Sequence, residues 1–468
     1  MSQQKESIST RMGKGFTRVG RNIAEIGTTF KEGDGTAKLS FLIMGLGQLV
    51  HKQFLRGIIF LGTEILFIYY MVTFGAQYLS KLPTLGTVET YVDKSGKIPL
   101  TVYGDNSFLI LLYGLLTLFV IAAFIFMWRM NVGQQRQIQK LQEQGKRLPT
   151  SRDDLKSLLN EHFAATLLAV PNVGVFVFII LPIIFMVCVA FTNYDATHQP
   201  PTNLFWWVGL ENFKNLFSMG SSGFGTTFFR VLGWTLVWAF FATFLNFFLG
   251  LGVAIMINKK GIKFKKLWRT ILVMTIAVPQ FVSLLYMYKM FANDGLVNTY
   301  LLKWGLIQTY IPFWTYAMSS RVLIILINVW IGIPYMMLMT TGILMNIPED
   351  LYESARIDGA NAWQMFRKIT LPYMLFVLGP YLLTSFTGNL NNFNVIYLLT
   401  QGQPTTMSMT GGAGGTDLLI TWLYKLTVND TNYRMAAVIG IMVFAVTAII
   451  SLVVYRILPS VRDEEGFQ

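Results

Sequence analysis

The sequence predicts an all-α polytopic membrane protein with about eight transmembrane helices. Hydrophobic residues make up 53% of the 468-residue chain and charged residues 13%, whereas an average soluble domain carries roughly 25% charge. The mean hydropathy is +0.50, and apolar runs of about 20 residues, enough to cross a bilayer as a helix, recur along the chain. This pattern excludes a soluble globular protein and a disordered chain. It also argues against a β-barrel, whose strands are short and alternate apolar with polar residues.

Eight apolar runs mark the predicted spans. Residues 1–37 are polar and basic, so we expect no cleaved signal peptide. The apolar stretch Leu39–Val50 is too short to cross and is predicted to be a re-entrant or interfacial helix that leads into the first span. The predicted spans are 57–79, 107–128, 163–191, 232–257, 271–292, 322–344, 373–397 and 435–456.

The distribution of Lys and Arg predicts the orientation of these spans. The N-terminal segment, the C-terminal end and three alternate loops (129–162, 258–270 and 345–372) hold 27 of the 37 basic residues, and the intervening loops hold 9. Under the positive-inside rule this bias places both termini in the cytoplasm. We assign the basic cluster between 259 and 269 to anionic lipid headgroups rather than to nucleic acid.

The sequence lacks the motifs of several enzyme classes. It has no GxxxxGK[ST] phosphate-binding loop and no GxSxG nucleophile elbow. The histidines His51, His162 and His198 have no zinc-site spacing, and the single cysteine, Cys188, lies in an apolar run. We therefore expect no catalytic residue, no metal and no cofactor. Glu64, inside the first span, is either an ion-coupling site or a glutamate paired with a polar neighbour.

The loop between the sixth and seventh spans, residues 346–372, is predicted to form two short helices. Pro348 begins the first helix, and Gly359 suits the left-handed position that ends it. Asn361 is a good N-cap for the second helix, which Pro372 is expected to stop just before the seventh span. The second helix has an apolar face at three-residue spacing, formed by Trp363, Phe366 and Ile369.

This loop resembles the EAA loop of ABC importer permeases. It fits the pattern E-x-A-x(3)-G-x(9)-I-x-L-P, with Ser354 at the second position of the family's E-A-A. In that family the loop docks in a cleft of the ATP-binding subunit. The resemblance therefore implies a transport subunit that is not an enzyme, with ATP hydrolysed by a partner. The coupling residues that it implies are Glu353, Ala355, Gly359, Trp363, Phe366 and Pro372.

Polar and aromatic residues in the sixth and seventh spans predict a path for an uncharged substrate. Asn389 and Asn392 are three residues apart and are predicted to share a helix face. Gly332 and Pro334, next to Tyr335, should loosen the sixth span. Aromatic rings and amides suit a carbohydrate site, but helix–helix hydrogen bonding with aromatic packing explains the same residues. The residues alone leave both interpretations open.

The runs NVWIGIPYMM, SFTGNLNNFNVIYLLTQGQP and GGAGGTDLLITWLYKLT resemble the larger permease subunit of maltose/maltodextrin ABC importers. The resemblance covers about residues 160–468 and implies malto-oligosaccharide transport by a six-helix ABC importer (type I) core that follows two additional spans. Ile276 and Gln280 replace the family's Tyr and Ser, which leaves fine specificity open. By motif, the sugar-lining residues are Gly332, Tyr335, Asn389 and Asn392.

The same resemblance implies a domain organisation. The core domain is 163–456 and contains the EAA loop, and the cytoplasmic tail follows it. The segments in order are 1–56 (cytoplasmic, with the interfacial helix), 57–128 (two accessory spans), 129–162 (cytoplasmic linker), 163–456 and 457–468.

The implied partners are a second permease subunit in a heterodimer, an ABC ATPase dimer, an extracellular sugar-binding lipoprotein, the oligosaccharide and membrane lipids, with no nucleic acid, at a bacterial plasma membrane. The glycine-rich run Gly411–Gly415 is predicted to be either a flexible contact loop or a plain linker. One alternative is the same mechanism with a galacto-oligosaccharide or raffinose-type sugar. A second alternative is an ion-coupled secondary carrier, and a membrane enzyme would need a nucleophile or metal set that the sequence lacks.

Overall fold

Long apolar helices account for most of the structure, a computed structural model that describes residues 26–31, 33–95, 99–218, 223–259, 261–406 and 408–457. The start of the predicted N-terminal segment and all but the first residue of the predicted tail 457–468 lie outside these ranges. Within them the chain divides into two units. One contains the described residues up to Cys188 together with His198–Trp207, and the other contains Val189–Thr197 and the described residues from Val208 onward.

The first unit is built from three long helices, several short ones and a two-stranded hairpin. The hairpin is antiparallel, with Tyr91 opposite Val102. The elements are α1 (Gly35–Leu39), α2 (Leu46–Val50), α3 (Phe54–Lys81), β1 (Tyr91–Asp93), β2 (Leu100–Val102), α4 (Ser107–Glu143), α5 (Ser151–Leu159) and α6 (Phe163–Val189).

The second unit is helical throughout its named elements. They are α7 (Glu211–Phe217), α8 (Phe224–Asn258), α9 (Lys265–Ala277), α10 (Gln280–Met290), α11 (Leu296–Lys303), α12 (Ala317–Leu344), α13 (Glu349–Ile357), α14 (Ala362–Leu390), α15 (Phe393–Leu399), α16 (Leu419–Val428) and α17 (Tyr433–Ile457).

Seven helices in the described part of the chain are long and apolar enough to cross a membrane: α3, α4, α6, α8, α12, α14 and α17. They match seven of the eight predicted spans. The predicted fifth span, 271–292, is not one straight helix, because α9 and α10 meet there at an angle of 90°. Counted as one broken span, this pair gives the eighth span. Val278 and Pro279 form the break, with Val278 extended, since a residue before proline avoids the helical region.

Side chains of the first unit hold the short apolar stretch Leu39–Val50 by hydrogen bonds. Only its second half is helical, as α2, because α1 ends at Leu39 and the chain turns at Gly45, whose φ is +83°. The Glu64 carboxylate accepts a hydrogen bond from the Met44 amide at 2.7 Å, which agrees with the second of its two interpretations. The buried Asn131 side chain bonds Gly45 N (3.2 Å), Gln48 Nε2 (3.0 Å) and Ser40 O (2.8 Å).

The core of the second unit forms where α8, α12 and α14 meet. Phe247 and Leu251 of α8 are buried against Met336 of α12 and Met374 of α14. The backbones of α8 and α12 approach closely at Gly250, where an added Cβ would lie 2.4 Å from the Cβ of Met336. Small residues allow this close helix packing. It matters in membranes because lipid is as apolar as the side chains, so the hydrophobic effect does not drive helices together there.

Gly250→Ala should therefore destabilise the second unit. Overpacking of this kind costs about 1–3 kcal/mol, so we expect a lower unfolding temperature for the detergent-solubilised chain. Gly252→Ala, on the same helix with no atom within 4 Å of the added Cβ, is the matched control and should unfold at the wild-type temperature or slightly above it. Equal unfolding temperatures for both variants would contradict this packing.

Candidate functional site

The predicted loop 346–372 contains the short helix α13 and the first turns of α14. Glu349 and Asp350 occupy the first turn of α13, where negative charge is favourable beside the helix dipole. At the other end Gly359 has a φ of +79°, and the Ala360 amide donates to the carbonyl of Ala355 at 2.9 Å. The predicted role of Gly359 as a helix terminator is confirmed.

The second half of the loop begins as predicted but does not end as predicted. Asn361 caps α14 reciprocally with Gln364, through bonds of 2.9 and 2.8 Å. The expectation that Pro372 stops this helix before the span is wrong, because α14 runs from Ala362 to Leu390. A π-helical turn at Phe366–Thr370 directly precedes Pro372. Proline has no N–H to donate to the preceding turn of the helix. We attribute the continuity of α14 to the widened π-helical turn, which accommodates the missing hydrogen bond without ending the helix.

The loop is joined firmly to the core of the second unit. Ile347 is buried in the cluster that contains Met374, and Ile369 packs against the same cluster. The Tyr352 hydroxyl lies 2.9 Å from Thr370 Oγ1, so α13 is tied to the start of α14. A displacement of the loop must therefore be transmitted to both flanking long helices.

The outward side of the loop carries apolar and acidic residues. Glu353 is exposed, and Ile357 and Trp363 are 87% and 66% exposed. The Trp363 ring stacks on Phe366, with centroids 5.5 Å apart, and Phe366 packs on the core. The face predicted for α14 thus extends from the interior to the surface, where a large tryptophan is left uncovered.

A cavity of about 330 Å³ opens at the break between α9 and α10, facing α12. The predicted residues Gly332 and Tyr335 both line it, together with Ile276 and Gln280, where the sequence departs from the resembled family. Trp330 presents a half-exposed ring beside them. Sequence reasoning missed Thr275 and Ser283 as lining residues, although the Val-Pro step within an apolar run was a sign of the break.

Asn389 and Asn392 are not brought to that cavity. α14 ends at Leu390, and Asn392 caps α15, so the prediction of a shared helix face is wrong. The Asn389 amide donates to Thr243 Oγ1 on α8 at 3.0 Å, and its Oδ1 accepts from Asn392 at 3.2 Å. These bonds tie α8 to the junction of α14 and α15.

Gly332 has a packing role beside the cavity. A Cβ at this position would lie 2.3 Å from Nδ2 of Asn246 on α8. That amide group donates to the Ala242 carbonyl at 2.8 Å, and its Oδ1 is buried with no hydrogen-bond partner in the described ranges. The missing side chain at Gly332 therefore leaves room for a polar group of the neighbouring helix.

The glycine-rich run Gly411–Gly415 is neither a flexible loop nor a plain linker. Its last three residues are buried, and the Gly414 amide donates to Asp417 at 2.7 Å. Burial raises the pKa of the Asp417 carboxyl above its ordinary value. Lys425, 2.6 Å away, opposes that rise. Those contacts hold the run in one conformation.

Gly359→Val should disturb the end of α13 through backbone strain alone, because no atom lies within 4 Å of the added Cβ. A left-handed conformation costs an ordinary residue roughly 1–2 kcal/mol, so hydrogen exchange at the Ala360 amide should accelerate about ten-fold. Gly359→Asn, which tolerates this conformation, is the control. Equal exchange in the two variants would show that the turn is not strained.

The geometry defines a multi-pass helical membrane protein with a cavity beside a broken helix and an exposed loop locked to its core. Residues 246–463 match the family described as binding-protein-dependent transport system inner membrane component. The chain is 37% identical over 437 residues to the maltodextrin transport system permease protein MalC of Streptococcus pneumoniae, with 91% of this chain and 96% of that protein covered.

Other relatives match over a similar length. The galactooligosaccharides transport system permease protein GanP of Bacillus subtilis is 36% identical, with 92% of this chain and 98% of the relative covered. The maltodextrin transport system permease protein MdxF of the same organism is 35% identical, with 92% of this chain and 97% of the relative covered. A solved chain of a bacterial ABC transporter involved in import of the acidic polysaccharide alginate has a TM-score of 0.54 and 25% identity, covering 66% of this chain and 99% of that one.

The chain therefore belongs to the family of inner membrane permease components of binding-protein-dependent transport systems. It is a transport subunit with an ABC importer permease fold.

Proposed function

We propose that this chain is a permease subunit of an ATP-driven importer that moves malto-oligosaccharides across a bacterial plasma membrane. Relatives named as maltodextrin permeases match over nearly the whole chain. The observation that carries the mechanism is that α12 bears the cavity residues Gly332 and Tyr335 and leads directly into the loop that Ile347 and Tyr352 lock to the core.

The cavity supplies the chemistry that an uncharged sugar needs. Trp330 and Tyr335 offer ring faces, and Gln280 and Ser283 offer hydrogen-bonding groups beside them. In this proposal Gly332 shapes the wall. Asn389 and Asn392 belong to the path as residues that position the end of α14 against α8.

The loop couples this cavity to a partner ATPase dimer. In the proposal Glu353, Ala355 and Gly359 contact the partner on α13, and Trp363 and Phe366 contact it on α14. Pro372 lies where the helix passes from the loop into the span. Closure of the ATPase pair would move the loop, and the tied helices α12 and α14 would carry the motion to the cavity.

The proposal includes two further partners and an orientation. The family description implies an external binding protein, which we propose is a lipoprotein outside the cell, and a second permease subunit completes a heterodimer. The 27 basic residues on one side support cytoplasmic termini. That orientation places the loop on the same side as an ATPase.

Glu353→Lys should abolish sugar uptake and sugar-stimulated ATPase activity while the chain still inserts in the membrane. Glu353 is exposed, so its replacement removes a docking charge without disturbing the core. Uptake of labelled maltotriose in cells and ATPase activity of the purified complex measure both effects. Glu143→Lys, an exposed residue of α4, is the control, and uptake by Glu353→Lys at the control rate would refute the coupling role.

Gln280→Leu tests the cavity separately. Loss of one hydrogen bond to the sugar should raise the concentration for half-maximal uptake by up to about ten-fold, with membrane insertion unchanged. Gln308→Leu, at an exposed position outside the cavity, should leave uptake as in the wild type. If both variants behave alike, the sugar does not pass this cavity.

A galacto-oligosaccharide is the second candidate substrate, because the relative named for galactooligosaccharides is 36% identical over 92% of this chain. Competition of unlabelled galactobiose against labelled maltotriose, in cells that contain the native binding protein, separates the two sugars. We expect maltotriose uptake to persist in excess galactobiose.

A further inference from the structure

A second cavity, of about 630 Å³, lies within the first unit, where α3, α4, α5 and α6 meet. Its apolar part is lined by Ile59 and Phe60 of α3, Met127 and Met130 of α4, and Ala169 of α6. Ile59 and Met130 are 50% and 42% exposed. Since these helices are apolar spans, this part of the cavity is accessible to lipid hydrocarbon.

The other part of the cavity is polar. The Arg56 guanidinium donates to both carboxylate oxygens of Asp154, from Nε at 2.8 Å and from Nη2. A guanidinium has more N–H donors than these two, and the Arg56 side chain keeps 26% of its surface exposed. Gln134 also lines the cavity, and its Oε1 is buried without a hydrogen-bond partner among the described residues.

These groups sit at the predicted cytoplasmic ends of the spans. Arg56 precedes the apolar part of α3, and Asp154 lies on α5, a short helix whose Leu155 and Leu159 are 56% and 62% exposed. The segment 129–162 carries seven Lys and Arg residues. A basic surface at this depth attracts anionic headgroups, and exposed leucines on a short helix suit the boundary between headgroups and acyl chains.

We propose that this cavity binds one anionic phospholipid of the phosphatidylglycerol type. The phosphate would pair with the free N–H groups of Arg56, and an acyl chain would lie along Ile59, Met130 and Ala169. The Gln134 side chain would turn toward the cavity, so that its Oε1 accepts from a headgroup hydroxyl. Arg recognises phosphate through its planar fork. The site belongs to the first unit, so it does not depend on which sugar the second unit carries.

The test is native mass spectrometry of the purified complex with phosphatidylglycerol, phosphatidylethanolamine or phosphatidylcholine added. We expect phosphatidylglycerol to be retained most strongly. Ala169→Trp fills the apolar part and should lower its occupancy about ten-fold, whereas Val173→Trp, at an exposed position on the same helix outside the cavity, should bind as the wild type does. Both tryptophans replace exposed residues, so the fold should be preserved, and unfolding temperatures check this.

Gln134→Leu tests the hydrogen-bond acceptor. It should weaken phosphatidylglycerol binding several-fold, while Gln142→Leu, exposed on the same helix, should not. Inorganic phosphate in excess should fail to displace the lipid, because the apolar contacts are absent. The proposal is overturned if phosphate alone competes, if phosphatidylcholine or phosphatidylethanolamine binds as well as phosphatidylglycerol, or if Ala169→Trp and Val173→Trp retain lipid equally.

Discussion

Lipid hydrocarbon offers no partner to a free backbone N–H or C=O, and this constraint governs where the helices can be interrupted. Interruptions at the Gly45 turn, at the end of α14 and at Pro279 show local compensation. At the turn through Gly45, Glu64 and Asn131 accept the free amides of Met44 and Gly45. Where α14 ends, the Trp238 indole donates to the Asn389 carbonyl at 3.1 Å, and Asn392 caps the next helix. At the break between α9 and α10, Pro279 has no N–H to satisfy. Polar residues within these apolar sequences therefore serve as backbone partners before they serve any substrate.

Continuity of the helices also matters for the proposed coupling role of the exposed loop. A helix that ended at Pro372 would leave a hinge between loop and span. The π-helical turn at Phe366–Thr370 keeps α14 continuous instead, and Tyr352 ties α13 to that turn through Thr370. Ile347 secures the other end in the core. In the proposed function, a force applied at the loop would therefore move α12 and α14 as whole helices.

The sequence predicted the features that depend on neighbouring residues, namely the positions of the spans and the ends of short helices. Apolar run lengths located seven spans, Asn361 marked a helix start and Gly359 a helix end, because capping and left-handed turns depend on a few neighbouring residues. The failures involve distant partners. Asn389 is bound by Thr243, 146 residues earlier, and Gly411–Gly415 is ordered by contacts such as that of Gly414 with Asp417, which spacing does not reveal. Two cavity residues were found by motif, but the 90° bend at Pro279 that forms the cavity was not predicted, because a Val-Pro step does not set the angle between the helices that flank it.

In the proposed transport path, the composition of the cavity at this bend would restrict the charge of the substrate. None of its described lining residues is charged, so a carboxylate entering it would lose hydration without gaining a cation, which is strongly unfavourable. The solved neighbour is involved in import of an acidic polysaccharide, so the shared fold does not determine the charge of the cargo. In this chain Gln280, Ser283 and the two aromatic rings can pair with hydroxyls and sugar faces, and a neutral oligosaccharide meets all of them without a desolvated charge. In that proposal, discrimination among neutral sugars would rest on the shape set by Ile276 and by Gly332, at which Asn246 leaves no room for a side chain.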